Sequence, residues 1–235
     1  MGKRSGSGIT NSQRHYSLAG IKGKMSDEYR SGLEDALNSS SNEMAKAVYE
    51  KYADQLKVTS ANTKNGTTQF QPFKKGVQLN TKKDAQGNKG SEPYEESLHE
   101  FAHMIDWLAG GKNAGEYLSA KEVDGKKLRD VLKQDYQNFK KSIGAKNEDH
   151  VIEMLSKEKR PDREISNLSD ILEFTTGKSY PLGYGHGAKY HFEKGKVESE
   201  FFAEVLSSAL VNPASYAQLE RVFPNSVAMV WKMIG

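Results

Sequence analysis

The chain has 235 residues, a length that fits one domain or one domain with a tail. Its 34 basic and 31 acidic residues leave a formal charge of +3, which does not predict electrostatic capture by nucleic acid or membrane. Cysteine is absent, which excludes disulfides, thiolate metal sites and a cysteine nucleophile. No stretch approaches the roughly 18 apolar residues of a membrane helix, and the N-terminus lacks the apolar core of a signal peptide.

The N-terminal half is predicted to contain a tail, a helical stretch and a small sheet. Residues 1–25 are rich in Gly, Ser and Lys, which predicts a flexible tail or linker. Residues 26–56 have apolar residues at helical spacing, with Ser26 as a start signal. Residues 57–82 set apolar residues among Thr, Gln, Asn and Gly, which predicts two or three short strands, and residues 83–92 are predicted to be a polar loop.

The chain after residue 92 is predicted to be helical, and two of its helices have the strongest patterns in the chain. These two helices cover residues 93–109, where Gly110 and Gly111 follow, and residues 197–211. The other predictions are helices over 126–142, 148–158 and 164–176, a Gly-, Tyr- and His-rich loop over 178–196, and two short helices at the end.

These elements predict one α+β domain, mostly helical, over residues 26–235. A small sheet would precede the helix 93–109 in an N-terminal lobe of about residues 26–110. A helical C-terminal lobe of about residues 111–235 would bring the second strong helix across a cleft.

The segment 98–106 contains His99-Glu100-x-x-His103. On a helix, four residues turn through 400° and rise about 6 Å, so both imidazoles leave the same face one turn apart. Two ligands of one tetrahedral Zn²⁺ need that spacing, and Glu100 on the rim of the face can take a proton from the attacking water. The surrounding residues are apolar, which places the helix in the core, where two imidazoles and a carboxylate need partners.

A catalytic zinc needs a third protein ligand, and the segment 198–204 offers the best candidates. Glu200 and Glu204 lie one turn apart at the edge of a wide apolar stripe, from which a carboxylate can reach a metal held by the other core helix. We expect Glu200 to be the ligand and Glu204 to accept an imidazole N–H. Asp106, seven residues after His99 on the same helical face, is another candidate for holding a ligand in place.

Two segments, HEFAHMID (99–106) and EFFAE (200–204), together resemble one family of zinc peptidases. This family includes the catalytic domain of anthrax lethal factor and the proline-specific secreted endopeptidases of clostridia. The resemblance implies a zincin-like fold and one Zn²⁺ per chain. The implied ligands are His99, His103 and Glu200, and the implied general base is Glu100.

A second resemblance, over residues 70–235, is to metallopeptidase-like domains of phage head-morphogenesis and mobile-element proteins. It rests on the order of several short motifs. These motifs are ISNLSDI (165–171), GYGHGxxY (183–190), ExxAE (200–204), Asn212-Pro213 and Phe223-Pro224.

The lethal factor family also uses a Tyr that donates to the developing oxyanion shortly before the ligand Glu. Here the position seven before Glu200 is Glu193, so the sequence departs from that pattern. The phage-type pattern implies Tyr190 instead, with Tyr184 and His186 as alternatives; a packing role for Tyr190 and a substrate contact for His186 stay open.

In zinc peptidases of this general build an edge strand pairs with the substrate, and residues 77–80 are the candidate, with an ordinary sheet strand as the alternative.

The residues and the resemblances together predict a zinc-dependent endopeptidase that acts on a protein or peptide. Two alternatives are a zinc-stabilised structural module of a phage or mobile-element protein and a toxin-type effector protease domain. The lysine pairs are scattered among acidic residues, so no nucleic-acid partner is expected, and no membrane partner is expected either. The sequence leaves the oligomeric state open, and it leaves open a cytoplasmic location, a place in a virion, or delivery within a larger protein.

Overall fold

The computed structural model describes residues 14–62, 66–113, 116–183 and 196–235. Over these ranges the chain is α+β and mostly helical, with one three-stranded sheet. None of the helices in these ranges is both long and apolar enough to cross a membrane.

The N-terminal half contains four helices and all three strands. Its helices are α1 (Asp27–Ser39), α2 (Glu43–Tyr52), α3 (Thr81–Gln86) and α4 (Glu95–Gly110). Its strands are β1 (Val58–Asn62), β2 (Gln69–Gln71) and β3 (Gly76–Asn80). The prediction of short strands before the strongest helix is therefore confirmed.

The rest of the described chain is helical. Its helices are α5 (Leu128–Ser142), α6 (Glu148–Ser156), α7 (Asp162–Thr176), α8 (Lys196–Val211), α9 (Pro213–Val222) and α10 (Pro224–Ile234). The five helices predicted from periodicity here and at α4 are confirmed, with each end within two residues of its predicted place. Gly111, at φ +141°, follows α4 in a conformation that L side chains rarely adopt, which explains why the helix ends there.

The flexible tail predicted over residues 1–25 is wrong from residue 14 onward. Three apolar side chains in that segment are buried, those of Tyr16, Leu18 and Ile21. The backbone of Tyr16 both donates to and accepts from the side-chain amide of Asn38 in α1, at 2.9 and 2.8 Å. The prediction rested on the high Gly and Ser content of the segment and gave no weight to these few apolar residues. Their burial is enough to hold the segment against the core.

Side-chain caps mark the starts of two further helices. The stretch predicted to be helical over 26–56 is two helices, with the break at Ser39 to Ser41, where the sequence interrupts the apolar stripe, and Asn42 starts α2 by accepting the N–H of Ala45 through its side chain. The polar loop predicted over 83–92 begins with α3, which Asn80 caps in the same way.

The sheet has the strand order β1-β3-β2, with β1 parallel and β2 antiparallel to β3. Of the two alternatives for residues 77–80, the structure shows the ordinary sheet strand and not the edge strand, because β3 is paired on both sides. The edge strand next to α4 is β2. Its Phe70 packs on Trp107 of α4, with ring centroids 6.0 Å apart.

The core is centred on the pair α4 and α8, which pack directly against each other. The sheet packs on α4, whereas α7 and α9 pack on α8. Phe101 of α4 and both Phe201 and Phe202 of α8 are completely buried. This apolar contact fixes the two helices that carry the predicted metal ligands.

Candidate metal centre

The structure brings His99, His103 and Glu200 together. The two histidines project from one face of α4, and Glu200 reaches them from α8. The Nε2 atoms of the histidines are 3.0 Å apart. Glu200 Oε2 lies 3.4 Å from His99 Nε2 and 3.5 Å from His103 Nε2, so the three atoms form a compact triangle.

This triangle fits a zinc ion. Ligand atoms that bind tetrahedral zinc at about 2.0–2.1 Å lie roughly 3.3 Å from one another, which is within the observed 3.0 to 3.5 Å range of separations. Two imidazole nitrogens and one carboxylate oxygen are also a donor set that zinc takes in catalytic sites. The side chains of His99, His103 and Glu200 are only 12, 13 and 9% exposed, so water competes poorly for them.

Among the described residues, three side chains make up this group. Structural zinc sites take four protein ligands, whereas catalytic sites take three and leave one position for water or substrate.

The electrostatics of the group favour a positive charge at its centre. Burial disfavours a charged His99, but the carboxylates of Glu204 and Glu200 outweigh burial and raise the pKa of His99 well above its usual range. Burial likewise disfavours a charged Glu200, and His103 and His99 outweigh it, which holds the pKa of this carboxyl well below its usual range. The carboxylates that favour a positive charge on His99 would likewise favour a metal cation beside it.

Glu204 lies where the sequence predicts it. Its Oε1 is 3.4 Å from His99 Nδ1, the ring nitrogen that faces away from Glu200. A carboxylate at this nitrogen orients the imidazole and makes its other nitrogen a better ligand.

Asp106 lies near the group but acts on the other histidine. It is fully buried, and it accepts both the N–H and the hydroxyl of Ser119 at 2.7 Å. It also accepts a hydrogen bond from Ser199, whose Oγ is 3.0 Å from His103 Nδ1. Burial raises the pKa of Asp106 to about 6, which these hydrogen bonds and the nearby His103 partly offset.

The sequence reasoning missed Ser199. It directly precedes Glu200 on α8, so its place in the helix-to-helix interface was a usable signal once Glu200 had been assigned. Ser119 could not have been found in this way, because it comes from a turn beyond α4 whose position depends on the tertiary fold.

Glu100 lies beside the group on the cavity side of α4. Its Oε2 accepts the main-chain N–H of Phe70 at 2.7 Å. A cavity of about 310 Å³ is lined by Glu100 and His99 together with Glu204 and residues of three other segments. A reacting group in this cavity would meet the carboxylate of Glu100 and one of the three candidate ligands, His99.

Three predicted residues lie outside the described part of the chain: Tyr190, Tyr184 and His186. Glu193, where the sequence departs from the lethal factor pattern, lies there too. The described structure therefore places the predicted base and ligands but not the predicted oxyanion donor.

Comparison of the chain with protein-family models, with curated proteins and with solved structures finds no match. The functional interpretation therefore rests on the site itself. Its main features are the ligand triangle between α4 and α8 and the carboxylate of Glu100 beside it.

Proposed function

We propose that this chain is a zinc-dependent endopeptidase with a zincin-like fold. The observation that carries the proposal is the triangle of His99, His103 and Glu200, with Glu100 next to it on the wall of a cavity. A metal bound by three protein side chains beside a carboxylate base is the arrangement that metal-assisted hydrolysis requires.

Zinc, when bound, supplies a Lewis acid that activates water and polarises the substrate carbonyl. Glu100 takes a proton from the attacking water and passes it to the leaving amine, so its carboxylate starts and ends the cycle ionised. Its position directly after His99 on α4 places it at the rim of the ligand triangle, on the side of the cavity.

The remaining polar groups orient the ligands. Glu204 holds His99 through Nδ1, and Ser199 holds His103 through Nδ1 with Asp106 behind it. Each histidine is thereby fixed with Nε2 directed at Glu200. The resemblance adds Tyr190 as the expected donor to the oxyanion.

A zinc-stabilised structural module is the competing function. It would use the same triangle but would have no use for a carboxylate base facing a cavity. A toxin-type effector protease would share the chemistry and differ in its protein substrate, which this site does not specify.

The proposal is tested with zinc-loaded protein and fluorescently labelled unfolded casein, a substrate that offers many peptide bonds. Glu100→Gln keeps the shape of the side chain and removes its basicity, so it should retain one zinc per chain and lose about 10²- to 10⁴-fold in turnover. The matched control is Glu96→Gln, which changes another carboxylate on the wall of the same cavity and should cleave at close to the normal rate.

Two outcomes would contradict the proposal. Full activity of Glu100→Gln would remove the base from the mechanism. A zinc-loaded normal protein that leaves casein intact would indicate the structural module instead.

A further inference from the structure

The main chain of Phe70 faces an edge of the sheet at which none of the described residues adds a further strand. In β3, Val77 donates its N–H to Lys57 at 2.8 Å and accepts the hydroxyl of Thr59 at 3.2 Å, so its polar groups point towards β1. Phe70 is opposite Val77 in the antiparallel register. Because the polar groups of Val77 point towards β1, Phe70 and Val77 form a non-hydrogen-bonded pair. In such a pair the N–H and C=O of each residue point away from the other strand, so those of Phe70 point outward from β2.

Glu100 already occupies this edge. The outward N–H of Phe70 donates to Glu100 Oε2 at 2.7 Å, and the charge on the carboxylate strengthens such a bond. An extended peptide that adds to β2 as an antiparallel strand needs the same N–H for one of its own carbonyls. The base and a substrate strand therefore compete for one donor.

We propose that the Phe70 amide is a positioning group that holds Glu100 until a substrate strand takes its place. This inference rests on the proposed endopeptidase function. When an extended peptide pairs with β2, its carbonyl accepts the Phe70 N–H, and the Glu100 carboxylate is released towards the reacting water. A short substrate that does not reach β2 leaves the carboxylate tied to the strand.

The contact itself is tested in metal-free protein labelled with ¹⁵N on phenylalanine only. The chain has nine Phe residues, so the spectrum has few amide signals, and Phe70→Leu identifies the signal of interest by its loss. Glu100→Ala should shift this signal upfield and speed its hydrogen exchange by about tenfold or more. Glu96→Ala, the control on the same cavity wall, should leave it unchanged. An unchanged Phe70 signal in Glu100→Ala would overturn the proposal.

The exchange of partners is tested by replacing Phe70 with phenyllactic acid, which turns the N–H into an ester oxygen and keeps the ring. The zinc-loaded ester protein should hydrolyse a blocked dipeptide amide several-fold faster than the normal protein, because Glu100 is released. It should hydrolyse labelled casein several-fold more slowly, because the substrate strand loses an anchor. If the Phe70 amide instead holds Glu100 in its active position and does not bind the substrate, both rates should fall together. That result would overturn the proposal.

The two failures are distinguishable. If the normal zinc-loaded protein cleaves neither probe, the endopeptidase function fails, and the exchange with substrate fails with it. If it cleaves both probes and the ester protein matches it on each, the function stands and the role of the Phe70 amide is wrong.

Discussion

Two buried carboxylates of the core helices have opposite surroundings. Glu95 at the start of α4 accepts amide hydrogens from Asn167 at 3.1 Å, from Asn212 at 3.0 Å and from the backbone of Glu92 at 2.7 Å. Glu200 on α8 faces two imidazole nitrogens instead. Counted over whole residues, Glu95 is 4% and Glu200 is 7% exposed, so burial does not distinguish them.

The groups around each carboxylate distinguish a structural carboxylate from one that holds a cation. Glu95 is surrounded by N–H donors and ties α4 to α7 and to the start of α9. Three other buried acids follow the same pattern of N–H or O–H donors, namely Asp84, Asp106 and Asp135. When neutral His99 and His103 donate their Nδ1 hydrogens to Glu204 and Ser199, their Nε2 atoms offer Glu200 only lone pairs unless a proton or a metal lies between them.

The largest expected effect is the loss of zinc affinity on removal of the Glu200 carboxylate, with Glu95 as the comparison. Glu200→Ala should weaken zinc binding by more than about a hundredfold, because it removes one of three ligands. Glu95→Gln should keep normal zinc affinity, because its partners are structural. Competition with a chromophoric chelator measures both affinities. Equal zinc affinities for the two variants would show that Glu200 contributes no more to zinc binding than Glu95 does.

A smaller effect is expected from the groups that orient His103. Ser199→Ala and Asp106→Asn should each weaken zinc binding by about 10- to 100-fold, because the imidazole loses its hydrogen-bond partner or the support of that partner. The control is Ser208→Ala, a buried serine nine residues further along α8, whose hydroxyl bonds to the backbone of Glu204. Normal affinity in both Ser199→Ala and Asp106→Asn would show that this chain of hydrogen bonds does not act on the metal.

The last prediction concerns the pH dependence of stability in metal-free protein, so it does not involve zinc affinity. Burial raises the pKa of Glu95 to about 7, despite its hydrogen-bond donors. The folded protein thus holds this proton more tightly than the unfolded chain does. The contribution of this proton to the free energy of unfolding is complete below the ordinary pKa of 4.5. It is lost as the pH rises through about 7, and the loss is on the order of 3 kcal/mol.

Glu95→Gln removes this titration and should flatten the pH dependence. Urea unfolding at about pH 5 and about pH 8 gives the free energy of unfolding for the normal protein and the variant. The decrease between the two pH values should be smaller in Glu95→Gln. The same decrease in both proteins would show that Glu95 is ionised in the fold at the lower pH, contrary to its burial.

The parts of the site that lie on single helices could be predicted from the sequence. The spacing of His99 and His103 needs only the helical repeat, and the apolar stripe around Glu200 indicates that α8 belongs in the core. The convergence of α4 and α8 could be anticipated because both are long and rich in apolar residues, which predicts that both lie in the core. Their side-chain distances are properties of the tertiary packing.

The rest depends on contacts between segments that are distant in sequence. The strand order that makes β2 an edge cannot be read from strand propensities, so the sequence leaves open whether residues 77–80 lie at the edge or inside the sheet. The same limit applies to Ser119, which reaches Asp106 through a turn, and to residues 14–25, which are held by α1. Local patterns identify elements, whereas these contacts arise from how the elements pack.

Zinc content per chain tests the central claim most directly. Elemental mass spectrometry is applied to protein purified without added metal, after brief exposure to zinc and desalting. We expect one zinc per chain in the normal protein and much less than one in Glu200→Ala. A normal protein without zinc would show that His99, His103 and Glu200 do not form a metal site, and it would contradict the account.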